Sequence, residues 1–283
     1  MPKSARRDKI NSVNTRYLLE KNHGRKALFF DIDGTLMELT PPTDRTLKAI
    51  ENVRKNGHFA FICTGRSEGY VPDFIKSIPL DGAIYGAGSA VFLNGKPLSH
   101  RFLSKELFQR TFDVLNEYHI SGFWECEDRD PLHKNGGLCA FGRRPQSEYF
   151  RAYPFVCSSQ EFFQRFPNET VTKLSVHSEI PLAAATLLKK DFHFISHTPQ
   201  ITELVLPGVS KAAGIGVMLR HLGLTAADAI AFGDSMNDYE MIKYAGCGVA
   251  MGNACDALKA VANEITLPCS EDGVAVFLEE RLL

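Results

Sequence analysis

The feature that most constrains the fold is a short apolar run that stops at two acidic residues. Residues 27–30 read Ala-Leu-Phe-Phe, and Asp31, Asp33 and Gly34 follow closely. Such a run is typical of a strand buried on both faces of a parallel sheet, and ligands bind at the carboxyl ends of these strands. Two carboxylates this close repel each other, which favours a cation or a shared proton between them. Asp and Gly are also common turn residues, so the run alone leaves an acidic turn open.

Strand and helix patterns alternate in the first and last thirds of the chain. Apolar runs at 27–30, 58–63 and 82–85 are separated by helical stretches, and the alternation returns from residue 210. This order predicts an α/β fold with a Rossmann-like, doubly wound parallel sheet. The middle of the chain instead mixes helices with hairpin signals, of which Asn94-Gly95 is the strongest, and predicts an inserted α+β domain. We therefore predict a basic N-terminal extension (1–24), a core in two parts (25–87 and 207–283) and an inserted domain (88–206).

Composition excludes several classes of protein. The chain has 283 residues, 44% of them hydrophobic and 23% charged, with a net charge of −1, as in an ordinary globular protein. No apolar run approaches the roughly 20 residues of a membrane span, and no signal-peptide pattern follows Met1. The seven cysteines are scattered and form no Cys-x-x-Cys pair, which favours reduced thiols. We expect a cytoplasmic protein that does not contact membranes.

The N-terminal extension is strongly basic. Residues 1–26 contain eight Lys or Arg and two acidic residues. A targeting segment or a nucleic-acid contact would have this charge. Aromatic residues are not interleaved with the charges as single-strand binding requires, so we interpret the segment as a solvated extension and expect no nucleic-acid partner.

Two smaller signals follow in the chain. Thr64 and Gly65 come directly after the apolar run at 58–63. A hydroxyl and free backbone N–H groups at a helix start can hold a phosphate. Lys211 opens a later predicted helix, where the helix dipole disfavours a cation unless it reaches an anion. A solvated lysine is the ordinary alternative.

The strongest signal is the run Gly-Asp-Ser-Met-Asn-Asp at 233–238, which follows another apolar strand. Asp234 and Asp238 offer hard oxygen ligands, and Mg²⁺ is typically held by one or two carboxylates with water and substrate phosphate. An N-capping aspartate would explain one of these residues. It would not explain why four predicted strand ends all carry polar groups that can bind a cation or a phosphate.

These clusters match, in order, the four motifs of the haloacid dehalogenase-like (HAD) superfamily: Asp31 with Asp33, Thr64, Lys211, and Asp234 with Asp238. The chain resembles the HAD phosphatases. Met-Gly-Asn at 251–253 and Glu-Asp-Gly at 271–273 resemble the Cof-type subfamily, IIB. The resemblance implies that the inserted domain is a C2-type (C2B) cap. One departure is Ala87, which stands where the resemblance expects Asn.

The resemblance also implies roles for the site residues. Asp31 would attack phosphorus to give an aspartyl-phosphate, and Asp33 would act as acid and base. Mg²⁺ would be held by Asp31, the Asp33 carbonyl and Asp234, with support from Asp238. The phosphate would be bound by Thr64, Gly65, Lys211 and Asn237. The expected activity is hydrolysis of small phosphomonoesters such as sugar phosphates, by a monomer or weak dimer.

Two rival functions remain open at this point. A phosphomutase, like the eukaryotic phosphomannomutases, would share the nucleophile and the acid but pass the phosphoryl group to a second hydroxyl. The other rival is a catalytically silent protein that binds sugar phosphates or nucleic acid. Such a protein would need neither the nucleophile nor the acid, so the full set of catalytic groups argues against it.

The cap is expected to read the leaving group. Its candidate specificity residues are Trp124, Glu125, His133, Arg143 and Arg144. Solvated cap surface is the ordinary alternative for each. His193 and His197 have a zinc-like spacing, but the residues around them favour a strand.

Overall fold

The computed structural model describes residues 24–127, 137–142, 153–198 and 200–283. The strands are β1 (Ala27–Phe30), β2 (Phe59–Cys63), β3 (Gly82–Tyr85), β4 (Ala90–Leu93), β5 (Lys96–His100), β6 (Gly122–Cys126), β7 (Leu138–Phe141), β8 (Val171–Val176), β9 (His193–Thr198), β10 (Ile201–Val205), β11 (Ala229–Gly233), β12 (Cys247–Ala250) and β13 (Glu264–Ile265). The α-helices are α1 (Asp44–Lys55), α2 (Asp73–Lys76), α3 (Lys105–Glu117), α4 (Ser159–Arg165), α5 (Leu182–Leu188), α6 (Lys211–Leu222), α7 (Tyr239–Tyr244), α8 (Asp256–Lys259) and α9 (Gly273–Arg281).

The larger sheet has the order β13-β12-β11-β1-β2-β3-β4-β5. Its first six strands run parallel, and β1 lies between β2 and β11. After β1, the chain first forms β2 to β5 on one side of it, and after the inserted domain it forms β11 to β13 on the other side. The predicted doubly wound parallel sheet is confirmed, and its strand order reverses beside β1, where such sheets bind their ligands.

β1 is a strand because both of its faces are filled with apolar neighbours. All four of its residues are fully buried. Phe29 stacks on Phe61 of β2 at 5.2 Å between ring centroids, and Phe30 stacks on Phe232 of β11 at 5.0 Å. This packing fixes the point at which the chain leaves the sheet, and therefore the position of Asp31.

Helix α6 begins and ends at clear sequence signals. The Ser210 side chain accepts a hydrogen bond from the Ala213 N–H at 3.2 Å, as an N-cap does. Gly223 ends the helix in the left-handed conformation, at φ +69°. The cap at Ser210 makes Lys211 the first residue of the helix and directs the start of α6 toward the active-site edge of the sheet.

The hairpin of β4 and β5 belongs to the larger sheet. It turns at Asn94-Gly95, where both residues have positive φ, so the predicted turn is present. β4 pairs antiparallel with β3, and Val91 is part of the core of the larger sheet. The predicted boundary placed this segment, from residue 88 onward, in the inserted domain. A hairpin signal identifies a turn but not the sheet that the hairpin joins, and here β4 continues from β3 through a short turn.

The second sheet is the predicted inserted α+β domain, which we call the cap. Its five strands are antiparallel, in the order β7-β6-β8-β10-β9. One face packs on helices α3, α4 and α5 through a separate apolar core. The other face is turned toward the carboxyl ends of the parallel strands, where the active site lies.

Two short connections join the cap to the core. They come close together, since the Arg101 side chain donates to the Pro207 carbonyl at 3.2 Å. Ala87 lies beside them, fully buried at φ +55°, and packs against Val205 and Val209. The contact at this junction is therefore apolar where the resemblance expects an Asn side chain.

Within the described ranges, none of the helices has both the length and the apolar character that a membrane crossing requires. Residues 1–23 lie outside the described residues, and with them nearly all of the predicted basic extension.

Candidate active site

Three aspartates meet at the carboxyl end of the parallel sheet. Asp31 follows β1, and Asp234 and Asp238 follow β11. One carboxylate oxygen from each lies within 4.8 Å of the other two. We call Asp31, Asp234 and Asp238 the acidic trio. The strand ends predicted that these residues lie at one edge of the sheet, and the family resemblance implied that they share a metal site.

Lys211 reaches into the acidic trio from the start of α6. Its Nζ lies 2.7 Å from Asp31 Oδ1 and 2.5 Å from Asp238 Oδ1, and it is almost completely buried. Burial alone would lower the pKa of Lys211, but the charges of Asp238 and Asp31 raise it. Burial also raises the pKa of Asp31 well above its usual value, with repulsion from Asp238 adding to the effect and Lys211 opposing it. A nucleophilic carboxylate at this position therefore needs positive charge beside it to stay ionised.

Asp238 holds the loop after β11 in place. Its Oδ2 accepts hydrogen bonds from the N–H groups of Asp234 at 3.0 Å and Ser235 at 3.1 Å. Its Oδ1 is bound by Lys211. Since both oxygens have partners, Asp238 orients Asp234 and Lys211, which agrees with the supporting role implied by the resemblance.

The acidic trio fits a divalent cation. Asp234 Oδ1 is buried and has no hydrogen-bond partner, and burial together with repulsion from Asp238 raises the pKa of Asp234 to about 7. Gly34 faces this carboxylate at φ +72°, and a Cβ there would lie 2.2 Å from Asp234 Oδ2. An unpaired carboxylate oxygen among hard oxygen donors, beside a glycine that keeps the space open, suits a cation such as Mg²⁺.

Asp33 points to the edge of the site and is held by Arg66. The Arg66 Nη2 and Nε atoms lie 2.7 and 2.8 Å from the two Asp33 carboxylate oxygens. Arg66 also donates to the Tyr70 carbonyl, and its guanidinium lies 4.6 Å from the centroid of the Tyr70 ring. Two-point binding of this kind fixes the orientation of a carboxylate. The sequence analysis assigned no role to Arg66, although its position directly after Thr64-Gly65 is a usable signal.

The predicted phosphate-binding residues surround the acidic trio. Thr64 is buried after β2, and its Oγ1 accepts from the Arg66 N–H at 3.1 Å. A Cβ added to Gly65 would lie 3.4 Å from the side-chain amide of Asn237. Thr64, Gly65 and Asn237 line one cavity with Asp31 and Asp234, so the structure brings the predicted core residues together.

The cavity between the core and the cap has a volume of about 590 Å³. The core supplies its floor, with Asp31, Asp33, Thr64, Arg66, Asp234 and Asn237. The cap supplies its roof, with Phe123, Glu125, Lys173, Ser175, His177, His197 and Glu203. The volume is within the range of small-molecule sites.

Of the candidate cap residues in the described ranges, one lines the cavity and one does not. Glu125 faces the cavity. Trp124, its neighbour on β6, is fully buried on the opposite face and packs on Phe108 and Phe112 at 4.1 and 5.8 Å between ring centroids. Side chains alternate along a strand, so both cannot face the substrate. His133, Arg143 and Arg144 lie outside the described residues.

Several roof residues were missed by the sequence analysis. Lys173 and Glu203 lie in strands β8 and β10, which read Val-Thr-Lys-Leu-Ser-Val and Ile-Thr-Glu-Leu-Val. The signal that could have identified them is a charged residue with apolar neighbours in a strand. His197 lies in β9, the predicted strand, and its Nε2 is 3.5 Å from Glu203 Oε1.

The family model for haloacid dehalogenase-like hydrolases matches residues 28–278. The chain belongs to the haloacid dehalogenase-like hydrolases. The resemblance to this superfamily noted in the sequence is thereby confirmed.

Relatives of this HAD hydrolase are named phosphatases. The 5-amino-6-(5-phospho-D-ribitylamino)uracil phosphatase YitU of Bacillus subtilis (strain 168) is 27% identical over 266 residues, which cover 88% of this chain and 95% of the relative. The structure of BT1666, a HAD phosphatase from Bacteroides thetaiotaomicron, is 23% identical, with a TM-score of 0.76 over 92% of this chain and 96% of that one. The structure of the subclass IIB sugar phosphatase BT4131 is 24% identical, with a TM-score of 0.73 over 90% of this chain and 98% of that one. The family match makes this chain a hydrolase, and these relatives are named phosphatases.

Proposed function

We propose that this HAD hydrolase is a Mg²⁺-dependent phosphatase that hydrolyses small phosphomonoesters through an aspartyl-phosphate on Asp31. The observation that carries the proposal is the position of Asp31. It lies on the floor of a covered cavity, 2.7 Å from Lys211 and beside an unpaired oxygen of Asp234. A carboxylate beside a buried ammonium group and a candidate cation site can approach a phosphate dianion.

The chain's own residues divide the chemistry between them. When bound by Asp31, the Asp33 carbonyl and Asp234, Mg²⁺ supplies positive charge that offsets the charge of the phosphate. Thr64, Gly65, Lys211 and Asn237 hold the phosphoryl oxygens. Asp31 forms a bond to phosphorus while the bond from phosphorus to the ester oxygen breaks.

Asp33 moves the protons in both half-reactions. It protonates the leaving alcohol oxygen, and it then takes a proton from the water that hydrolyses the aspartyl-phosphate. Arg66 keeps the Asp33 carboxylate at the edge of the cavity, on the side where the leaving group must lie. The cap excludes water from these charges and so strengthens their interactions.

Sugar phosphates and related metabolites are the substrate class that the site favours. The cavity volume of about 590 Å³ suits a molecule of that size. YitU is named for a substrate with a phosphorylated ribityl chain, and BT4131 is described as a sugar phosphatase, which supports the same class.

The test is phosphate release from a panel of phosphomonoesters, with Mg²⁺ and with EDTA. We expect release from at least one sugar phosphate and from p-nitrophenyl phosphate in Mg²⁺, and none in EDTA. The assay omits any bisphosphate activator, so phosphate release under these conditions identifies a phosphatase. A phosphomutase would release no phosphate and would isomerise the sugar phosphate only after a sugar bisphosphate is added. Binding of sugar phosphates without turnover would identify a silent binding protein.

A further inference from the structure

The face of the cap sheet above the active site carries a buried set of charged and polar side chains. We call Glu125, Lys173, Ser175 and Glu203 the roof cluster. Glu125 pairs with Lys173 across β6 and β8, and Glu203 pairs with Ser175 across β8 and β10. Paired residues and alternate residues of a strand share a face, so all four side chains point the same way. All four line the cavity.

Lys173 is the centre of the roof cluster. Its Nζ lies 2.7 Å from Glu203 Oε1 and 3.2 Å from Glu125 Oε1, with 1% of the side chain exposed. The Ser175 hydroxyl donates to the same Glu125 oxygen. One ammonium group therefore fixes one oxygen of each carboxylate.

The second oxygen of Glu203 has no partner. Oε2 is buried and accepts no hydrogen bond. Burial alone would raise the pKa of Glu203, but the Lys173 charge and the nearby His197 lower it to about 2. Burial raises the pKa of Glu125, so Glu203 is the carboxylate that stays ionised most firmly. The Glu203 side chain lines the cavity and is 12% exposed, so a donor on a ligand can complete this ionised oxygen, which can only accept.

The loop after β2, Thr64-Gly65-Arg66, is called the phosphate-binding loop here, and the Glu203 carboxylate lies over it. A Cβ added to Gly65 would be 3.6 Å from Glu203 Oε1 and 3.8 Å from Oε2. Gly65 lies between Thr64, a phosphate-binding residue, and Arg66, which holds Asp33. A ligand group that reaches Glu203 is therefore close to the ester bond and not at the far end of the leaving group.

We propose that Glu203 accepts a hydrogen bond from a hydroxyl group close to the phosphoester, so that the substrates are monophosphates of polyhydroxylated alcohols. This inference rests on the proposed phosphatase function and names the group that the cap reads. A carboxylate or a second phosphate at the same position would meet Glu203 with like charge and would be rejected.

Three esters of similar size test the inference on the wild-type enzyme: glycerol phosphate, propyl phosphate and phosphoglycerate. Glycerol phosphate carries hydroxyl groups that propyl phosphate lacks. Phosphoglycerate is used as its 2-phosphate isomer, which carries a carboxylate on the carbon that bears the phosphoester. We expect kcat/KM for glycerol phosphate to exceed that for propyl phosphate by about 10-fold to 100-fold, the range for a hydrogen bond to a charged group. We expect phosphoglycerate to be hydrolysed at least about tenfold less efficiently than glycerol phosphate.

The variant Glu203→Gln keeps the shape of the side chain and removes its charge. We expect the ratio of kcat/KM between glycerol phosphate and propyl phosphate to fall to within about threefold of unity, and phosphoglycerate to gain relative to glycerol phosphate. Glu117→Gln is the matched control, because Glu117 is exposed at the end of α3 in the same domain. It should leave both ratios at their wild-type values.

The outcomes separate the inference from the proposed function. If the wild-type enzyme does not distinguish the three esters, or if Glu203→Gln keeps the wild-type ratios, the inference is overturned while the phosphatase assignment stands. If no ester is hydrolysed, p-nitrophenyl phosphate included, the proposed function fails and the inference fails with it. If Glu203→Gln does not fold, as judged by circular dichroism, the wild-type ratios alone support or overturn the inference.

Discussion

Asp31 is a buried carboxylate whose negative charge depends on the cations around it. Lys211 is one of them, and a metal ion on the acidic trio would be the other. Because burial and Asp238 raise its pKa, the charge of Asp31 is unfavourable when only Lys211 opposes it. In the proposed mechanism, the site gives up stability in the metal-free protein in return for a reactive nucleophile.

Replacement of this residue should separate stability from activity. We expect Asp31→Asn to lower kcat/KM by about 1,000-fold or more, since it removes the nucleophile. The unfolding midpoint in EDTA should stay the same or rise, because a neutral amide relieves the repulsion with Asp238. Both are measured on one preparation, by phosphate release and by thermal unfolding. Activity within about tenfold of the wild type would refute the role of Asp31.

Asp33 and Asp234 should respond differently to Mg²⁺. The Asp33 side chain is held by Arg66 outside the acidic trio, whereas the Asp234 carboxylate has an unpaired oxygen within it. We expect Asp33→Asn to lower kcat while the half-saturating Mg²⁺ concentration stays within about threefold of the wild type. Asp234→Asn should raise that concentration by about tenfold or more. An equal loss of Mg²⁺ dependence in both variants would contradict these roles.

At the scale of the element, strand β6 shows how alternation divides structural and functional side chains. Trp124 packs into the cap core, whereas Phe123 and Glu125 face the cavity. The sequence showed that both Trp124 and Glu125 were in a strand, but not which face was covered by helices. That information lies in how α3 packs on the sheet, which is tertiary packing that the strand's own residues do not encode.

Trp124→Phe tests this division. We expect the free energy of unfolding to fall by about 1–2 kcal/mol, because the lost ring contacts outweigh the removal of an indole N–H that has no partner. The ranking of substrates by kcat/KM should not change. Phe112→Leu, in the same apolar cluster, serves as the control for a general loosening of the cap. A changed ranking at unchanged stability would instead make Trp124 a specificity residue.

The same reasoning explains what the sequence could predict elsewhere. Continuous apolar runs identified the central parallel strands, and the polar residues after them converge because parallel strands end at one edge. The short edge strand β13 has only two residues, Glu264 and Ile265, and leaves no periodic pattern. The roof cluster depends on the register between β6, β8 and β10, which is set by pairing across the cap and not by any local run. The bond between Arg66 and Asp33 also joins residues far apart in the chain.

For the whole molecule, the acidic trio and Lys211 lie in one domain and the roof cluster lies in another. The core and the cap have separate apolar cores, and the contacts of Ala87 with Val205 and Val209 lie at the junction. Such a division allows the cap to change without disturbing the acidic trio.

Removal of the cap tests this division directly. The excision replaces residues 102–206 with a short linker, because β4 and β5 belong to the larger sheet and must remain. The ends are close, since the Arg101 side chain contacts the Pro207 carbonyl. We expect the truncated core to hydrolyse p-nitrophenyl phosphate slowly and in a Mg²⁺-dependent manner, because the acidic trio and Lys211 are all retained. We expect its kcat/KM for glycerol phosphate and for propyl phosphate to become equal within about threefold, because Glu203 is gone and water competes with every remaining charge interaction.

Two controls make the result of the excision decisive. Asp31→Asn in the truncated core should abolish the residual hydrolysis, which excludes a contaminating phosphatase. Thermal unfolding with and without Mg²⁺ shows whether the core is folded and binds metal, since a cation that binds only the folded state raises the unfolding midpoint. If a folded, metal-binding core still prefers glycerol phosphate to propyl phosphate as the full enzyme does, then the selectivity resides in the floor of the cavity. Thr64, Arg66 and Asn237 would then be the residues to examine, because they line the floor of the cavity and remain when the cap is removed.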